Sequence, residues 1–356
     1  MISPIKDCFI SLVKLGIGTS NESPVHIPDW PTIQTLAVKQ GLLGLVVDGI
    51  ERISDTERPP KDLLMQMVGT VVQGYEYRYE LYKNSIAQLT GFYNAHGLKM
   101  MLLKGYACGL DWPKPEHRPY GDIDIWLFGE YKEADDLLAK EKGIKIDMSH
   151  HHHTVFGWDG FTVENHYDFV NVHAHKSSAE LEMIFKDLGS DDTHFVDVEG
   201  ERVYLPSANL HALFLIKHMV SHFTSTSINL RQVLDWAFFV KAHGAEVDWE
   251  WLLPLLDTFK MRSLFDCVNA ICVEDLGFSV EIFPYIKYDP FLKERVLGDI
   301  LEPKFVSAEP RGIVPRLLYK YRRWQGNAWK QKLCYPESRW SSFWWGLKAH
   351  LVKPRK

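Results

Sequence analysis

The order of hydrophobic and polar positions divides the chain into three stretches. Over residues 30–53 apolar side chains recur at Ile33, Leu36, Ala37, Leu42, Leu45 and Val46, the spacing of an amphipathic helix, with Gly41 as an interruption. A longer helical pattern runs from Lys61 to about His96 through Leu64, Met67, Val71, Tyr75, Tyr79, Leu81, Ile86, Leu89 and Phe92. Gly97 stands where a glycine is expected to end a helix. The pattern then shortens. Residues 98–103 are a nearly continuous apolar run, the mark of a buried strand. Residues 122–128 read as a second strand and residues 131–142 as a polar-faced helix. Residues 150–158 and 161–169 flank Asp159-Gly160, a dipeptide that favours a tight hairpin turn. Beyond Pro206, residues 209–222, 228–243 and 249–265 return to helical spacing. The chain is therefore expected to be α+β: an N-terminal helical region at 1–97, a mixed sheet with flanking helices at 98–205, and a C-terminal helical region at 206–356.

The turn fixes the hairpin register. With Asp159-Gly160 as a two-residue loop, Trp158 opposes Phe161, Val155 opposes Glu164 and His153 opposes His166. Alternate strand residues share a face, so Thr162, Glu164 and His166 point the same way.

Bulk composition changes this picture little. At 356 residues, with 46% hydrophobic and 24% charged residues, the chain is long enough for two or three compact units with a substantial core. Its five cysteines are scattered without a CxxC pair, which fits reduced thiols in a cytoplasm. Charges and glycines break the N-terminus before a signal-peptide core develops, and no stretch approaches the roughly 20 apolar residues that span a bilayer. A soluble cytoplasmic protein is expected.

Charge is uneven along the chain. The net value is −6, yet from Arg316 onward eleven Lys or Arg stand against the single acid Glu337. Trp324, Trp329, Trp340, Trp344 and Trp345 are interleaved with them. Such a tail suits an anionic partner, either a phosphate-rich polymer or a membrane surface. The alternative is a terminal helical segment that packs its tryptophans on an acidic body.

Candidate chemistry concentrates in residues 100–127. Asp122 and Asp124 alternate with Ile123 and Ile125, so in a strand the two carboxylates share a face. Two carboxylates about 4 Å apart repel by roughly 4 kcal/mol at an effective dielectric near 20, and a bridging cation relieves this. A divalent metal that also holds a triphosphate is the natural candidate, with Glu164 as a third carboxylate. The run His150–His153 offers another possibility: on strand alternation, His151 and His153 join His166 in a nitrogen-rich zinc site. His218 and His222 lie one helical turn apart, also a zinc spacing, but no Glu follows His218 as in HExxH. A helix face packed on the core is the plainer account of that pair. Arg231 and Asp235 are spaced to pair on one helix.

Leu102-Leu103-Lys104-Gly105, Arg118, Gly121-Asp122-Ile123-Asp124-Ile125 and Val163-Glu164-Asn165-His166 occur in an order that resembles the nucleotidyltransferases of the DNA polymerase β-like superfamily. More narrowly, the chain is similar to an uncharacterised bacterial nucleotidyltransferase family that carries Lys-Gly where most relatives carry Gly-Ser. That family has helices before and after the core. The likeness spans most of the chain and is sharpest over residues 102–127 and 163–166. It implies a polymerase β-like core in which Asp122, Asp124 and Glu164 hold Mg²⁺ or Mn²⁺. Lys104 and Gly105 would form the nucleotide-phosphate turn beside Gly121, with Arg118 near the phosphates and His166 orienting Glu164. It also brings the helices that carry His218 and Asp235 near the site. The implied activity is transfer of a nucleoside monophosphate from ATP or another NTP to an unidentified acceptor, with release of pyrophosphate. Without Gly-Ser the usual serine contact to phosphate is missing, and Lys104 supplies charge instead. An inactive nucleotide-binding or regulatory module on the same fold, and a His-rich zinc hydrolase, remain as alternatives.

Overall fold

Residues 4–24, 29–284, 286–305 and 310–349 are described by the structure, a computed structural model. The chain opens with α1 (Pro4–Ile17), α2 (Trp30–Gln40) and α3 (Leu43–Ile50). Asp29 starts α2 by accepting the Thr32 N–H at 3.1 Å, and Gly41, at φ +67°, ends it. The interruption foreseen at Gly41 thus separates two helices. α4 (Lys61–Val71) passes through a π-helical turn, Val72–Glu76, into α5 (Tyr77–Ala95). Gly97, at φ +77°, releases the chain from this rod, and Leu98 N–H returns to the Tyr93 carbonyl at 3.0 Å.

The central region comprises β1 (Met101–Leu102), α6 (Tyr106–Gly109), β2 (Ile123–Trp126), α7 (Tyr131–Lys142), β3 (His153–Trp158), β4 (Phe161–His166), α8 (Lys176–Leu188), β5 (Phe195–Val198) and β6 (Glu201–Tyr204). The six strands form one mixed sheet in the order β3-β4-β2-β1-β6-β5, with β2–β4 and β1–β6 parallel and the other pairs antiparallel. β1 and β2 are shorter than their apolar runs. Pairing ends where Gly105 (φ +65°) turns the chain into α6, and where Phe128 (φ +53°) and Gly129 (φ +97°) turn it away after β2. The β3–β4 register is the expected one: Asp159 and Gly160 both take positive φ, Trp158 faces Phe161, Val155 faces Glu164, and His153 faces His166. The hydrophobic pattern gave no element between 170 and 206. The structure has α8 there and a second hairpin over Glu199-Gly200, whose strands are short and whose Phe195 is exposed.

α9 (Ala208–Ser225), α10 (Leu230–His243), α11 (Trp249–Thr258), α12 (Arg262–Ala270), α13 (Pro290–Leu301), α14 (Ile313–Gly326), α15 (Ala328–Cys334) and α16 (Arg339–Ala349) complete the chain. The single helix expected over 249–265 is two. Lys260 takes a left-handed φ of +58°, its N–H closing on Asp257 and that of Met261 on Leu256, so α11 ends and Met261 drops into the core.

Two apolar layers hold the sheet. One face carries Ile123, Ile125, Val163 and Phe161 against Ile86 and Leu89 of α5 and Leu138 of α7. The other presents Met101, Trp126 and Tyr204 to a larger cluster in which Phe9 and Leu45 of the N-terminal helices mix with Leu213, Phe239 and Leu297 of the C-terminal ones. α9 lies over this second face. The five cysteines are buried, and none of them forms a disulfide. Among the described residues no helix is long and apolar enough to cross a membrane.

The Trp-rich tail divides between the two expectations. Trp329 packs edge-on to Phe223 with their ring centroids 5.4 Å apart, and Trp345 donates to the Val172 carbonyl at 3.2 Å. Trp340 and Trp344 are largely exposed. Lys353, Arg355 and Lys356 lie outside the described residues.

Candidate active site

A rigid corner sets the two aspartates. After β1, Lys104-Gly105 turns the chain so tightly that a Cβ at Gly105 would lie 2.4 Å from the Tyr82 hydroxyl. That hydroxyl donates to the Asp122 carbonyl at 2.8 Å. The Pro-rich loop before β2 is tied down equally well. Tyr120 donates to the Pro115 carbonyl at 2.9 Å, and Arg78 donates to the Tyr120 carbonyl at 2.8 Å. His117 bridges the Asp48 and Glu76 carboxylates at 2.8 and 3.1 Å. On the far side of the site, Glu182 accepts the Phe169 and Val170 N–H groups at 3.0 and 2.9 Å and fixes the segment that follows β4.

Parallel pairing of β2 and β4 sets Asp124 opposite Glu164 and Trp126 opposite His166. Asp124, Glu164 and His166 therefore leave one face of the sheet together, and one ligand atom of each lies within 4.8 Å of the others. Asp124 Oδ1 is 3.2 Å from His166 Nε2, and Glu164 Oε2 is 3.8 Å from the same nitrogen. Asp122 stands apart from this trio, just before β2 and half-exposed. Between the aspartates sits the Lys104 ammonium, 3.4 Å from Asp122 Oδ2 and 3.1 Å from Asp124 Oδ2. The cation bridging the paired carboxylates here is thus a side chain.

The buried charges act on one another. Burial pushes the Asp124 carboxyl up, but Lys104 and the hydrogen bond from His166 outweigh it and hold the group well below the usual carboxylate range. Glu164 is pushed up to about 7, by burial first and by the Asp124 charge second. Two carboxylates facing each other thus differ strongly in acidity.

Histidines line the same cleft. β3 begins only at His153, so strand alternation does not extend back through 150–152, and the partner of His153 and His166 is His152 instead of the expected His151. His151 lies edge-on to the His173 ring. Burial and the neighbouring His166 lower His152 to about 2 and His153 to about 3, so both imidazoles are neutral at ordinary pH. His218 and His222, with rings 4.3 Å apart on α9, also face the cleft and do not pack into the core. Their pKa values are lowered by burial and by Lys104.

The residues present fit a divalent ion. Both ring nitrogens of His153 are buried without a hydrogen-bond partner among the described residues, and Asp124 Oδ2 is buried with the Lys104 ammonium at 3.1 Å. The carboxylate oxygens and imidazole nitrogens around them form a donor set suited to such an ion.

Asp235 pairs with Arg118 rather than with Arg231, accepting Nε and Nη2 at 2.8 and 2.9 Å. The Trp112 indole donates to the same carboxylate at 2.9 Å. Arg118 borders the small recess beside Lys104, Gly105 and Gly121, but its fork is occupied. Arg231 borders that recess too, holding only the Pro119 carbonyl at 3.5 Å, with its buried Nε unpartnered among the described residues. Burial, and then the like charge of Arg118, lower its pKa. Sequence spacing concealed this residue because an acid four positions ahead offered a ready partner. Gly121 lies at the same recess, and a Cβ there would meet nothing within 4 Å.

From the carboxylates a cleft of about 460 Å³ runs beneath α9 toward α15, ending at Lys217, His175 and Tyr335. Its size suits a small-molecule ligand.

A family model described as an uncharacterised nucleotidyltransferase matches residues 27–277, well over half of the chain. Among solved structures, an antigenic nucleotidyltransferase-like protein from Paracoccidioides brasiliensis is similar at 13% identity and a TM-score of 0.32, over 45% of this chain and 75% of that one. No curated protein matches.

Proposed function

The chain belongs to the uncharacterised nucleotidyltransferase family, and we propose that it moves a nucleoside monophosphate from an NTP to a small acceptor. An acceptor oxygen attacks the α-phosphorus, the bond from that phosphorus to the bridging oxygen of the β-phosphate breaks, and pyrophosphate leaves. The acceptor proton passes to Glu164, the carboxylate that faces Asp124 across β2 and β4. Asp124, Glu164 and His166 would hold a divalent ion, Mg²⁺ or Mn²⁺, with Asp122 beside them, and Lys104, which lies between the two aspartates, would be free to meet the triphosphate. Bound there, the ion supplies charge neutralisation at the transferring phosphoryl group. Lys104 and Arg231 bind the β- and γ-phosphates over Gly105 and Gly121, while Arg118 holds Asp235 and keeps the recess in shape. Catalysis of this kind is mostly positioning and electrostatics, which rigid strands and a fixed corner provide.

The observation that carries this reading is the in-register pair Asp124 and Glu164 on the cleft face of the sheet, with Lys104 beside them. Calorimetric titration of the full chain with each NTP, with and without Mg²⁺ or Mn²⁺, tests it. Metal-dependent binding of at least one NTP is expected, and its absence throughout the panel would sink the proposal. Binding without turnover, across a broad set of acceptors, would instead favour a regulatory module.

A further inference from the structure

The far end of the cleft holds a charge that the proposed chemistry does not use. Lys217, on α9, is 6% exposed and lines the cleft wall. Its ammonium donates to the Ser221 hydroxyl at 3.1 Å and to the Tyr335 hydroxyl at 3.5 Å, and lies 5.2 Å from the centroid of the Tyr335 ring. Among the described residues no carboxylate lies within 4 Å of it. The other two lysines buried to this degree are neutralised: Lys293 by Asp275, Glu274 and Glu294, and Lys330 by Asp299. Glu337, which also borders this end of the molecule, accepts the Ser177 N–H through Oε1, while its Oε2 is buried without a hydrogen-bond partner among the described residues; it lies more than 4 Å from Lys217.

An ammonium removed from water with only neutral hydroxyls around it is unfavourable unless an anion joins it. Its surroundings are built to receive one. The His175 ring stacks on Tyr335 with centroids 3.5 Å apart and planes 12° from parallel, forming a flat wall. Ser178, Thr224 and Gln331 add uncharged hydrogen-bonding groups around the same space. Among the described residues the acids that line the cleft are Asp122, Asp124 and Glu164, and none of them pairs with Lys217.

We propose that this end of the cleft is the acceptor's anchoring subsite, and that the acceptor is a small hydroxyl-bearing molecule with an oxyanion, a phosphoryl or carboxylate group, bound to Lys217. The inference rests on the transferase reading for the word acceptor. The anion subsite itself stands on Lys217 alone. Held by its anion at Lys217, such a molecule extends along the cleft toward the carboxylates, where its hydroxyl meets the α-phosphate. The Ser178, Thr224 and Gln331 side chains contact the intervening hydroxyls, and a neutral analogue loses the anchor.

Thermal melting of the full chain in EDTA, with glycerol 3-phosphate, glycerate or glycerol as probes, tests the subsite without metal or nucleotide. Glycerol 3-phosphate or glycerate is expected to raise Tm by roughly 2 °C or more at ten times its Kd, and glycerol to do nothing. The phosphate and carboxylate arms identify which oxyanion the subsite takes. Lys217→Met is expected to abolish the shift and Lys217→Arg to retain most of it. Ser221→Asp, which places a carboxylate beside Lys217, is expected to raise the ligand-free Tm and abolish the shift. It carries the test if the Met variant does not fold. A shift that survives in Lys217→Met or Ser221→Asp, or an equal shift with glycerol, overturns the proposal. Nucleotide affinity in Lys217→Met is the second readout. Unchanged ATP binding with Mn²⁺ is expected, and a tenfold loss would assign Lys217 to the nucleotide's own phosphates and overturn the acceptor subsite. Failure of the wild-type chain to bind any NTP would strike the transferase reading while leaving the anion measurement intact.

Discussion

Asp124 and Glu164 are register partners across the parallel pair β2–β4, and both carboxylates leave the sheet on the face that α9 covers. Their nearness separates their acidities. Asp124, held by Lys104 and His166, stays ionised, while Glu164 meets burial and its partner's charge and is pushed up to about 7. A carboxylate that stays charged thus faces one able to take or give a proton near neutral pH in the metal-free protein, two acidities separated by their surroundings.

Asp124→Asn is expected to weaken divalent-ion binding at least about 100-fold while leaving the circular-dichroism melt near that of the wild type. Because imidazole nitrogens of His153 and His166 stand beside the carboxylates, Mn²⁺ should bind more tightly than Mg²⁺. Calorimetry with both ions checks this. An Asn variant with unchanged affinity would remove Asp124 from the ligand set.

Glu164 predicts a pH dependence of stability without metal. Its folded value of about 7 exceeds the ordinary 4.5, so between these pH values the native chain keeps a proton that the unfolded chain releases. Stability therefore falls as pH rises from about 4.5 to about 7, by roughly 3 kcal/mol in total. Glu164→Gln removes this loss, so the variant should gain on the wild type across that window in EDTA melts. Parallel curves would show that Glu164 does not titrate there. Divalent metal should reverse the trend, since the bound carboxylate is ionised.

The two glycines beside the aspartates should respond differently to a methyl group. Gly105→Ala meets both a φ of +65° and the Tyr82 hydroxyl, and is expected to cost about 2 kcal/mol or more. Gly121→Ala meets open space and should leave Tm unchanged, yet weaken NTP binding about tenfold where the phosphates pass over its backbone. Denaturant melts and nucleotide titration of both variants distinguish steric need from ligand contact.

Arg118→Ala strands the buried Asp235 carboxylate and should destabilise the fold by about 3–5 kcal/mol. Arg231→Met relieves a guanidinium that lies near the like charge of Arg118. It should change stability by less than about 1 kcal/mol while reducing NTP affinity at least about tenfold. If Arg231→Met proves as destabilising as Arg118→Ala, Arg231 is a structural residue and not a phosphate ligand.

The sequence by itself determined the local frame. Asp159-Gly160 set the β3–β4 register, because a two-residue turn needs positive φ at both positions and leaves one pairing for the strands that follow. Gly41 and Gly97 placed helix ends, and the Asp-Ile-Asp-Ile alternation told which side chains share a face. Readings that extended a periodicity past its element failed. Lys260 broke the expected 249–265 helix by adopting a left-handed φ that no composition signal marks, and the late start of β3 put His152 where His151 was expected.

Only the tertiary structure decided which charges meet. Arg118 and Asp235 are 117 residues apart and Lys217 and Tyr335 are 118, so neither contact leaves a trace in local spacing. Periodicity reports the face a side chain occupies. The partner that neutralises a buried charge depends on how distant elements pack, because burial makes each charge demand a counter-ion from whatever surface folds over it. For Asp235 the structure supplies Arg118, for the aspartate pair it supplies Lys104, and for Lys217 it supplies, among the described residues, two hydroxyls and the cleft.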